Sequence, residues 1–470
     1  MAMIFFIVLI FYKVNQRFLG LDIFGSINPD LGFVTFICPF FPTVGPTSEK
    51  DGQLFFLWQP EKSSPPKRSI PKNRCIFVTL SMNFDLLNEW QRLWEHPEAR
   101  KWLNESTTYN EKLAFQMPKS ANFNKVFLLE QLELRGKAKK KLPSWNHPQM
   151  LFSRVPLEQC TSEALAMWKK KHFSGGFLID LTGGMGVDFW AISGSFEKSW
   201  VFEQNEERAR LLRHNLALLG REHVSVFPQS ATAEELPACD LIYVDPDRRV
   251  TDQRTFSLED SEPKVYALLP MWLQKAKTVV VKASPMIPLH ESMTCFPVPP
   301  KTVIALGDAT ELKEILFVFE PEFEGPPEFL VVAKDWDETQ SMDFSEGKEG
   351  CFLWDPHPGH HKVGSAQKIA TKYGGIAEND GGHYYAFSRF FPLPGTFHEQ
   401  VWENRFKEKE LKEWMKQTGV TRLQIRCRQF FHTPEEIAKK WKIKSGGDYY
   451  LWCYQKNGQP WLSVTKYPRF

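Results

Sequence analysis

A glycine-rich turn between an apolar run and an amphipathic segment constrains this chain more than any other feature. Phe177–Ile179 is the apolar run, and it ends in the acid Asp180. The glycines of the turn are Gly183, Gly184 and Gly186. Glycine lets backbone N–H groups approach a ligand closely, and the N-terminus of a following helix points further N–H groups at it. The pattern predicts a strand, a turn and a helix that bind a nucleotide.

Three further strands are predicted after this turn, and two of them end in acids. The first ends in Glu203, which follows the turn at about the 20-residue distance of a ribose-binding acid. Val224–Phe227 forms the next strand, and Leu241–Val244 leads into Asp245. Alternation of such strands with helices up to about Phe319 predicts an α/β fold with a parallel, doubly wound, Rossmann-like sheet.

The spacing of the glycines argues against a dinucleotide cofactor. The dinucleotide fingerprint requires a small third residue in the turn, where this chain has Phe189. The turn instead resembles motif I of class I S-adenosylmethionine-dependent methyltransferases, in which an acid precedes the glycines. Asp245-Pro246 resembles the fourth motif of that family, where the substrate meets the methyl group.

A closer resemblance covers most of the chain. It rests on Leu157–Glu163, Asp180–Asp188, Asp245–Arg249, Leu258–Asp260 and Lys282–Met286. These motifs are similar to those of a family of bacterial class I methyltransferases with a C-terminal THUMP-like domain. The resemblance implies S-adenosylmethionine as cofactor and RNA, either tRNA or rRNA, as partner. It implies cofactor-binding roles for Asp180, Thr182, Gly183, Gly184, Gly186, Glu203, Ser230 and Asp245.

The acceptor is predicted to be a base nitrogen positioned by Asp245, with Asp247, Arg248 and Lys282 in support. Amine methyltransferases commonly carry an acid or amide, two prolines and an aromatic residue that stacks on the base. Here Asp247 and Arg248 replace the second proline and the aromatic residue. Stacking would then need Tyr243, Trp190 or an arginine plane.

Ribose 2′-hydroxyl methylation is an alternative, because it uses a Lys-Asp-Lys-Glu set. Asp245 and Lys282 would supply the central pair. The first lysine would be one of Lys169, Lys170 and Lys171, and the glutamate would be Glu311 or Glu314. Methylation of a pyrimidine carbon is disfavoured, because neither Asp245-Pro246 nor the fifth strand contains a nucleophilic cysteine.

Charge is unevenly distributed along the chain and bears on the choice of partner. The net charge is +2, yet residues 351–470 contain 19 Lys and Arg against 11 Asp and Glu. A basic surface of this kind is typical of a polyanion binder. Arg422, Arg426 and Arg428 are interleaved there with aromatic residues and suit single-stranded RNA, although a strand with one polar face gives the same pattern. A non-catalytic RNA-binding protein, and a small-molecule or protein methyltransferase, remain alternatives.

The composition shifts along the chain predict five segments. They are a poorly ordered or non-native extension (1–81), a helical N-terminal domain (82–150), the methyltransferase domain (151–322), a linker (323–350) and an α+β THUMP-like domain (351–470). Within the last segment a helix is predicted over Gln400–Gln417. The apolar run Ile4–Tyr12 is shorter than the roughly 20 residues of a membrane span.

The cysteines and histidines predict neither a disulfide framework nor a metal site. The eight cysteines are widely scattered without a C-x-x-C pair, which favours reduced thiols and a cytoplasmic protein. His357, His360 and His361 lie close together, but no acid or cysteine at ligand spacing accompanies them. We expect neither DNA nor a membrane as a stable partner.

Overall fold

The computed structural model describes most of the chain between residues 24 and 468. The described residues are 24–28, 33–38, 76–81, 85–105, 123–232, 235–248, 257–333, 336–337 and 349–468. They divide into two compact units, Met1–Lys140 with Asn146–Gln159 and Lys141–Trp145 with Cys160–Phe470. No helix in these ranges has the length and apolar character that crossing a membrane would require.

In the described residues, the first unit contains a small sheet and four helices. The antiparallel strands are β1 (Phe24–Asn28), β2 (Phe33–Cys38) and β3 (Ile76–Ser81). The helices are α1 (Leu86–Glu95), α2 (Pro97–Glu105), α3 (Lys125–Lys141) and α4 (Arg154–Gln159). Asp85 caps α1 by accepting a hydrogen bond from the Asn88 backbone N–H. Buried Trp90 packs edge-on against Phe127 of α3, which joins the apolar faces of these two helices.

A nine-stranded sheet forms the centre of the second unit. Its strands are β4 (Gly175–Asp180), β5 (Phe196–Phe202), β6 (Ser225–Phe227), β7 (Cys239–Val244), β10 (Ala276–Ala283), β11 (Thr302–Gly307), β12 (Leu312–Phe319), β13 (Glu328–Ala333) and β14 (Trp336–Asp337). They lie in the order β14-β13-β11-β12-β10-β7-β4-β5-β6. β12 is antiparallel to both of its neighbours, whereas β4, β5, β6, β7 and β10 are mutually parallel.

The strand order places the predicted site at a topological switch point. β4 lies between β5 and β7, so connections leave it on both sides and open a crevice at the carboxyl ends of β4 and β7. Asp180 ends β4, and Asp245 follows β7 directly. Helices α5 (Glu163–His172), α6 (Val187–Ser193), α7 (Glu206–Leu218), α8 (Val265–Leu273) and α9 (Leu289–Cys295) complete this domain.

The sheet continues beyond the boundary that the sequence predicts for the methyltransferase domain. β13 lies within residues 323–350, the predicted linker, yet all six of its residues pair with β11 in a parallel register. Among the described residues, those around Pro321 and Pro326-Pro327 connect β12 to β13, because proline cannot donate to a ladder. The linker prediction is therefore wrong for Glu328–Ala333.

The C-terminal domain is built on a seven-stranded sheet. Its strands are β15 (Glu349–Pro356), β16 (Ile376–Ala377), β17 (Tyr385–Arg389), β18 (Gly395–Arg405), β19 (Gln424–Cys427), β20 (Tyr449–Lys456) and β21 (Gln459–Lys466), in the order β16-β17-β15-β18-β21-β20-β19. Its helices are α10 (Pro358–Val363), α11 (Ala366–Lys372), α12 (Glu408–Thr418) and α13 (Pro434–Trp441).

One helix of the C-terminal domain begins later than the sequence predicts. Residues 400–405 continue β18, which pairs with β15 and β21, and α12 begins only at Glu408. Pairing of this stretch with β21 overrides its weak helical pattern. The prediction of a helix over Gln400–Gln417 is wrong for residues 400–407.

Candidate active site

Two glycines of the turn, Gly183 and Gly186, are required by close packing against α7. A side chain at Gly183 would lie 2.8 Å from Leu212 and from Val201, and Gly186 faces Leu212 even more closely. Gly186 also caps α6 with φ of 84°, a backbone conformation that favours glycine. The turn after β4 therefore packs closely against α7, with Gly183 and Gly186 buried and Gly184 half-buried between them.

Glu203 is attached to this turn by a hydrogen bond. Its Oε2 accepts from the Gly184 backbone N–H at 2.9 Å, and its Oε1 accepts from the Asn205 backbone N–H at 2.9 Å. The side chain is buried, and the Arg208 guanidinium lies 3.3 Å from Oε1. A carboxylate oxygen can accept two hydrogen bonds. The bonds present orient the Glu203 carboxylate, and Oε2 can accept one more, from a ligand diol.

Asp180 and Asp245 are linked through a single threonine. The Thr182 backbone N–H donates to Asp180 Oδ1 at 2.8 Å, and the Thr182 hydroxyl accepts from the Asp245 backbone N–H at 2.6 Å. Burial raises the pKa of Asp180 to about 7, against the lowering effect of the Thr182 hydrogen bonds. The end of β4 and the end of β7 are therefore held together at the crevice.

The remaining predicted site residues lie at its edge. Ser230 is exposed beyond the end of β6, and no described contact joins it to the glycine turn. Asp247 and Arg248 form the short strand β8 (Asp247–Arg248), which pairs with β9 (Ser261–Glu262). The side chain of Arg248 lies outside the described residues, so its contact with phosphate stays a prediction.

Lys282 brings the catalytic candidates together from the fifth parallel position of the sheet. Its Nζ lies 2.5 Å from Asp245 Oδ2, 3.1 Å from Asp188 Oδ2 and 3.9 Å from Glu314 Oε2. Burial alone would lower the pKa of Lys282, but the three carboxylates raise it well above its ordinary value. Lys282 is therefore a cation at neutral pH and is mostly covered by its partners.

Lys169 extends the same cluster beneath the site. It is fully buried in α5, and its Nζ lies 2.8 Å from Asp188 Oδ1 and 2.6 Å from Glu314 Oε1. Asp188 thus bridges the two lysines, which lower its pKa well below the ordinary value although burial opposes this. We name Lys169, Asp188, Asp245, Lys282 and Glu314 the charged cluster.

The sequence interpretation missed the residue at the centre of this cluster. This residue is Asp188, which ends the glycine-rich run and receives no role from the sequence pattern. The available signal is its place in the first turn of α6, where the helix dipole stabilises an acid. Thr161 adjoins the charged cluster, because its hydroxyl donates to Asp188 Oδ2 at 2.9 Å. Of the lysines and glutamates weighed for a Lys-Asp-Lys-Glu set, Lys169 and Glu314 are the ones that converge on Asp245 and Lys282.

Two aromatic residues proposed to stack on a base are unavailable for stacking. Tyr243 is 1% exposed, and its hydroxyl donates to Asp188 Oδ2 within the charged cluster. Trp190 is also buried and packs edge-on against Trp145. Both rings belong to the core of the domain, so their assignment as base platforms is wrong.

The cysteines and histidines offer no additional chemistry at this site. Burial raises the pKa of the Cys239 thiol to about 12, which opposes formation of a nucleophilic thiolate. His357 accepts from the Gly359 backbone N–H and His360 contacts the Ser365 hydroxyl, both in the C-terminal domain. Among the described residues no group of three or more histidines, cysteines and acids has the arrangement of a metal site.

Comparison with solved structures identifies the fold. A crystal structure described as that of a "putative methyltransferase" from Porphyromonas gingivalis W83 superposes with a TM-score of 0.68. It covers 83% of this chain and 100% of its own, at 23% identity, which supports the fold alone. The central domain has the class I methyltransferase fold. The predicted fold class and the resemblance that led to it are thereby confirmed.

Two comparisons with sequences agree with this fold. A family model described as THUMP domain-like matches residues 403–466. Two proteins of Mycobacterium tuberculosis, from strains CDC 1551 and H37Rv, are 28% identical over 169 residues. Both are named uncharacterized S-adenosylmethionine-dependent methyltransferases. The match covers 35% of this chain and 46% of each relative, so the chain spans about half the length of these relatives.

Proposed function

We propose that this protein is an S-adenosylmethionine-dependent methyltransferase that modifies RNA. The observation that carries the proposal is the link made by Thr182, which bonds the glycine turn to the backbone of Asp245. The residues that would hold a cofactor and the acid that would face an acceptor therefore share one rigid crevice. Rigid alignment of the two reactants is the main requirement of methyl transfer.

The donors and acceptors around the turn fit S-adenosylmethionine. Glu203 is buried, oriented by two backbone N–H groups and able to accept from a ribose diol. Gly184 has φ of 51° and open space where a side chain would stand, so its backbone is accessible. Asp180 lies beneath the turn and would favour the ammonium group of the cofactor. When bound, S-adenosylmethionine supplies a methyl group on a positively charged sulfur.

The C-terminal domain supports RNA as the substrate class. It contains 19 Lys and Arg against 11 Asp and Glu from residue 351 onward, and THUMP-type domains are associated with RNA binding. A small metabolite does not require a basic domain of 120 residues. We infer tRNA or rRNA in the cytoplasm, in agreement with reduced thiols at all six described cysteines.

The charged cluster favours an oxygen acceptor, and we infer the ribose 2′-hydroxyl. Lys282 lies 2.5 Å from the Asp245 carboxylate and stays protonated, so it stabilises negative charge at that position. A hydroxyl develops negative charge as it loses its proton, whereas an amine develops positive charge as it is methylated. Asp245 would accept the hydroxyl proton, and Lys282 would stabilise the oxygen while its bond to the methyl carbon forms. The carbon–sulfur bond of the cofactor would break at the same time and leave the neutral thioether S-adenosylhomocysteine.

A base nitrogen is the second candidate acceptor. Asp245 retains 42% exposure of its side chain, and Pro246 follows it, as a proline does in amine methyltransferases. An amino group could donate to this carboxylate without displacing Lys282. The two candidates differ in the atom methylated and share the same cofactor site.

The class of the reaction is tested by transfer of labelled methyl from S-adenosylmethionine to RNA, protein and small-molecule fractions. We expect label in RNA alone. Glu203→Gln should reduce transfer at least tenfold by raising the KM for the cofactor, because an amide cannot accept on both sides of the ribose diol. Glu197→Gln on β5 is the matched control and should leave transfer unchanged. Label confined to protein or small molecules would contradict the proposal.

A further inference from the structure

The seven-stranded sheet of the C-terminal domain is curled so that its ends approach each other. Arg428 follows β19 at one edge, and Asp355 lies in β15, four strands away in the sheet order. In a flat sheet these strands would be about 19 Å apart. Instead, Arg428 Nη2 lies 3.2 Å from Asp355 Oδ1, and Arg426 Nη1 lies 3.9 Å from Oδ2. The curl encloses a concave face that bears both arginines.

The charges on this concave face are not balanced. Asp355 is buried and is the only described carboxylate in ion-pair contact with the two guanidinium groups. Arg426 lies over the rings of Tyr450 and Trp452, and Arg428 lies over Tyr384. The arginines retain 41% and 36% exposure, so they are held by aromatic rings yet accessible from solvent. One positive charge is left over.

Buried polar atoms without hydrogen-bond partners surround the same arginines. His398 is 0% exposed, and neither of its ring nitrogens has a partner. The hydroxyl of Tyr384, also 0% exposed, is unpartnered, as is the Thr396 hydroxyl directly opposite Asp355 in the ladder. Buried polar groups almost always have partners, so their concentration here indicates a ligand that supplies several acceptors.

We propose that this cluster, defined as Asp355, Tyr384, His398, Arg426 and Arg428, binds a phosphate group of single-stranded RNA. Two guanidinium groups match phosphate oxygens, and hydroxyl and imidazole N–H groups can donate to the same oxygens. Tyr467 is half exposed and stacks on His398 at 4.6 Å, which offers a platform for an unpaired base. The inference rests on the proposed RNA substrate, but it concerns binding and requires no methyl transfer.

The experiment measures binding of a labelled, 5′-phosphorylated oligoribonucleotide to the full chain by fluorescence anisotropy, without cofactor. Arg426→Gln should weaken binding about tenfold and reduce the slope of log K against log salt by about one, because one phosphate contact is lost. Asp355→Asn should tighten binding severalfold, because it removes a competing negative charge. Arg405→Gln, an exposed arginine of β18, is the matched control and should change binding less than threefold.

The source of the phosphate is distinguished by two further probes. A 5′-hydroxyl oligoribonucleotide that binds as tightly as the 5′-phosphorylated one identifies an internal phosphodiester, and weaker binding identifies a terminal phosphate. Inorganic phosphate should compete with either oligonucleotide, at constant ionic strength, in the wild type and not in Arg426→Gln.

Two results would overturn the proposal. Equal losses for Arg426→Gln and Arg405→Gln would show only a diffuse basic surface. Weaker binding by Asp355→Asn, with near-ultraviolet circular dichroism unchanged, would show that the arginines merely pair with Asp355. Because no step involves the cofactor, these results remain distinct from a failure of methyl transfer.

Discussion

Two groups of charged residues, one in each domain of the second unit, differ in how completely the protein itself pairs their charges and polar atoms. In the charged cluster, two lysines meet three carboxylates at distances between 2.5 and 3.9 Å, and Thr161 and Tyr243 fill the remaining positions. In the cluster of the C-terminal domain, two arginines meet one carboxylate, and the His398 ring nitrogens and the Tyr384 hydroxyl have no hydrogen-bond partner among the described residues. The first arrangement is complete within the protein, whereas the second requires a ligand.

The contrast distinguishes a site that holds reacting groups in position from a site that binds a ligand. A complete buried network fixes its members, since breaking any pair leaves an uncompensated charge. Lys282 is therefore held with little freedom beside Asp245, as a reacting group requires. The arginines of the C-terminal domain keep more than a third of their surface exposed, as a group that exchanges water for a phosphate requires.

The largest effect is expected from Asp188→Ala. It leaves two buried lysines without their shared carboxylate and should lower the free energy of unfolding by about 3–5 kcal/mol. Hydrogen exchange of β4 and β7, followed by mass spectrometry, measures this locally. The control is Lys277→Ala on β10, which removes only an exposed ion pair with Asp240 and should leave exchange of both strands unchanged. Equal effects of the two substitutions would show that the cluster is not an energetically connected network.

The next effect concerns the rate of methyl transfer. Lys282→Met should lower kcat for RNA about 100-fold or more, because one preorganised charge near the reacting oxygen is typically worth about 3 kcal/mol. The KM for the cofactor should change little. Lys277→Met, at the exposed end of the same strand, is the control and should retain full activity. A kcat unchanged by Lys282→Met would remove Lys282 from the reaction.

The two clusters should also respond to pH in opposite directions. Lysine partners lower the pKa of Asp188, so its contribution to stability is present above its unfolded pKa and is lost as acid protonates it. Burial raises the pKa of Asp355 to about 6, from an ordinary value of 3.8, despite Arg428 and Arg426. The contribution of Asp355 is therefore present below its unfolded pKa and is lost as pH rises through about 6.

Asp355→Asn tests this difference, and the rise in the pKa of Asp355 from 3.8 to about 6 corresponds to about 3 kcal/mol. The substitution should slow hydrogen exchange of β15 at pH 8 relative to wild type and change it little at pH 4. Asp188→Asn should instead accelerate exchange of β4 at pH 8. If both substitutions shift exchange in the same direction at pH 8, the assignment of opposite charge balances is incorrect.

The parts of the site that lie along one segment of chain are predictable from the sequence. Asp180, the glycines, Glu203 and Asp245 each follow a recognisable strand, and the order of these strands dictates that their ends meet. The positions of Asp188 and Glu314 cannot be predicted in this way. The approach of their side chains depends on how α6 packs against the sheet and on where the antiparallel β12 lies within it. The sequence indicates Glu311 and Glu314 as candidate glutamates, and no pattern in it distinguishes the two.

The binding cluster of the C-terminal domain is harder still to predict. Arg426 and Arg428 are separated from Asp355 by about 70 residues and by three intervening strands. Only the curl of the sheet brings them into contact. The interleaving of arginine with aromatic residues was visible in the sequence, but the aromatic residues beneath the guanidinium groups are Tyr384, Tyr450 and Trp452 rather than the neighbouring phenylalanines.

The nucleosides recovered from RNA after reaction with labelled S-adenosylmethionine give the most direct test of the central claim, that Lys282 and Asp245 act on a ribose oxygen. RNA is digested to nucleosides, and the labelled species are separated and identified by mass spectrometry. We predict label on the ribose as a 2′-O-methyl nucleoside, and loss of that species with Lys282→Met. Label on a base nitrogen, at a yield unaffected by Lys282→Met, would contradict it.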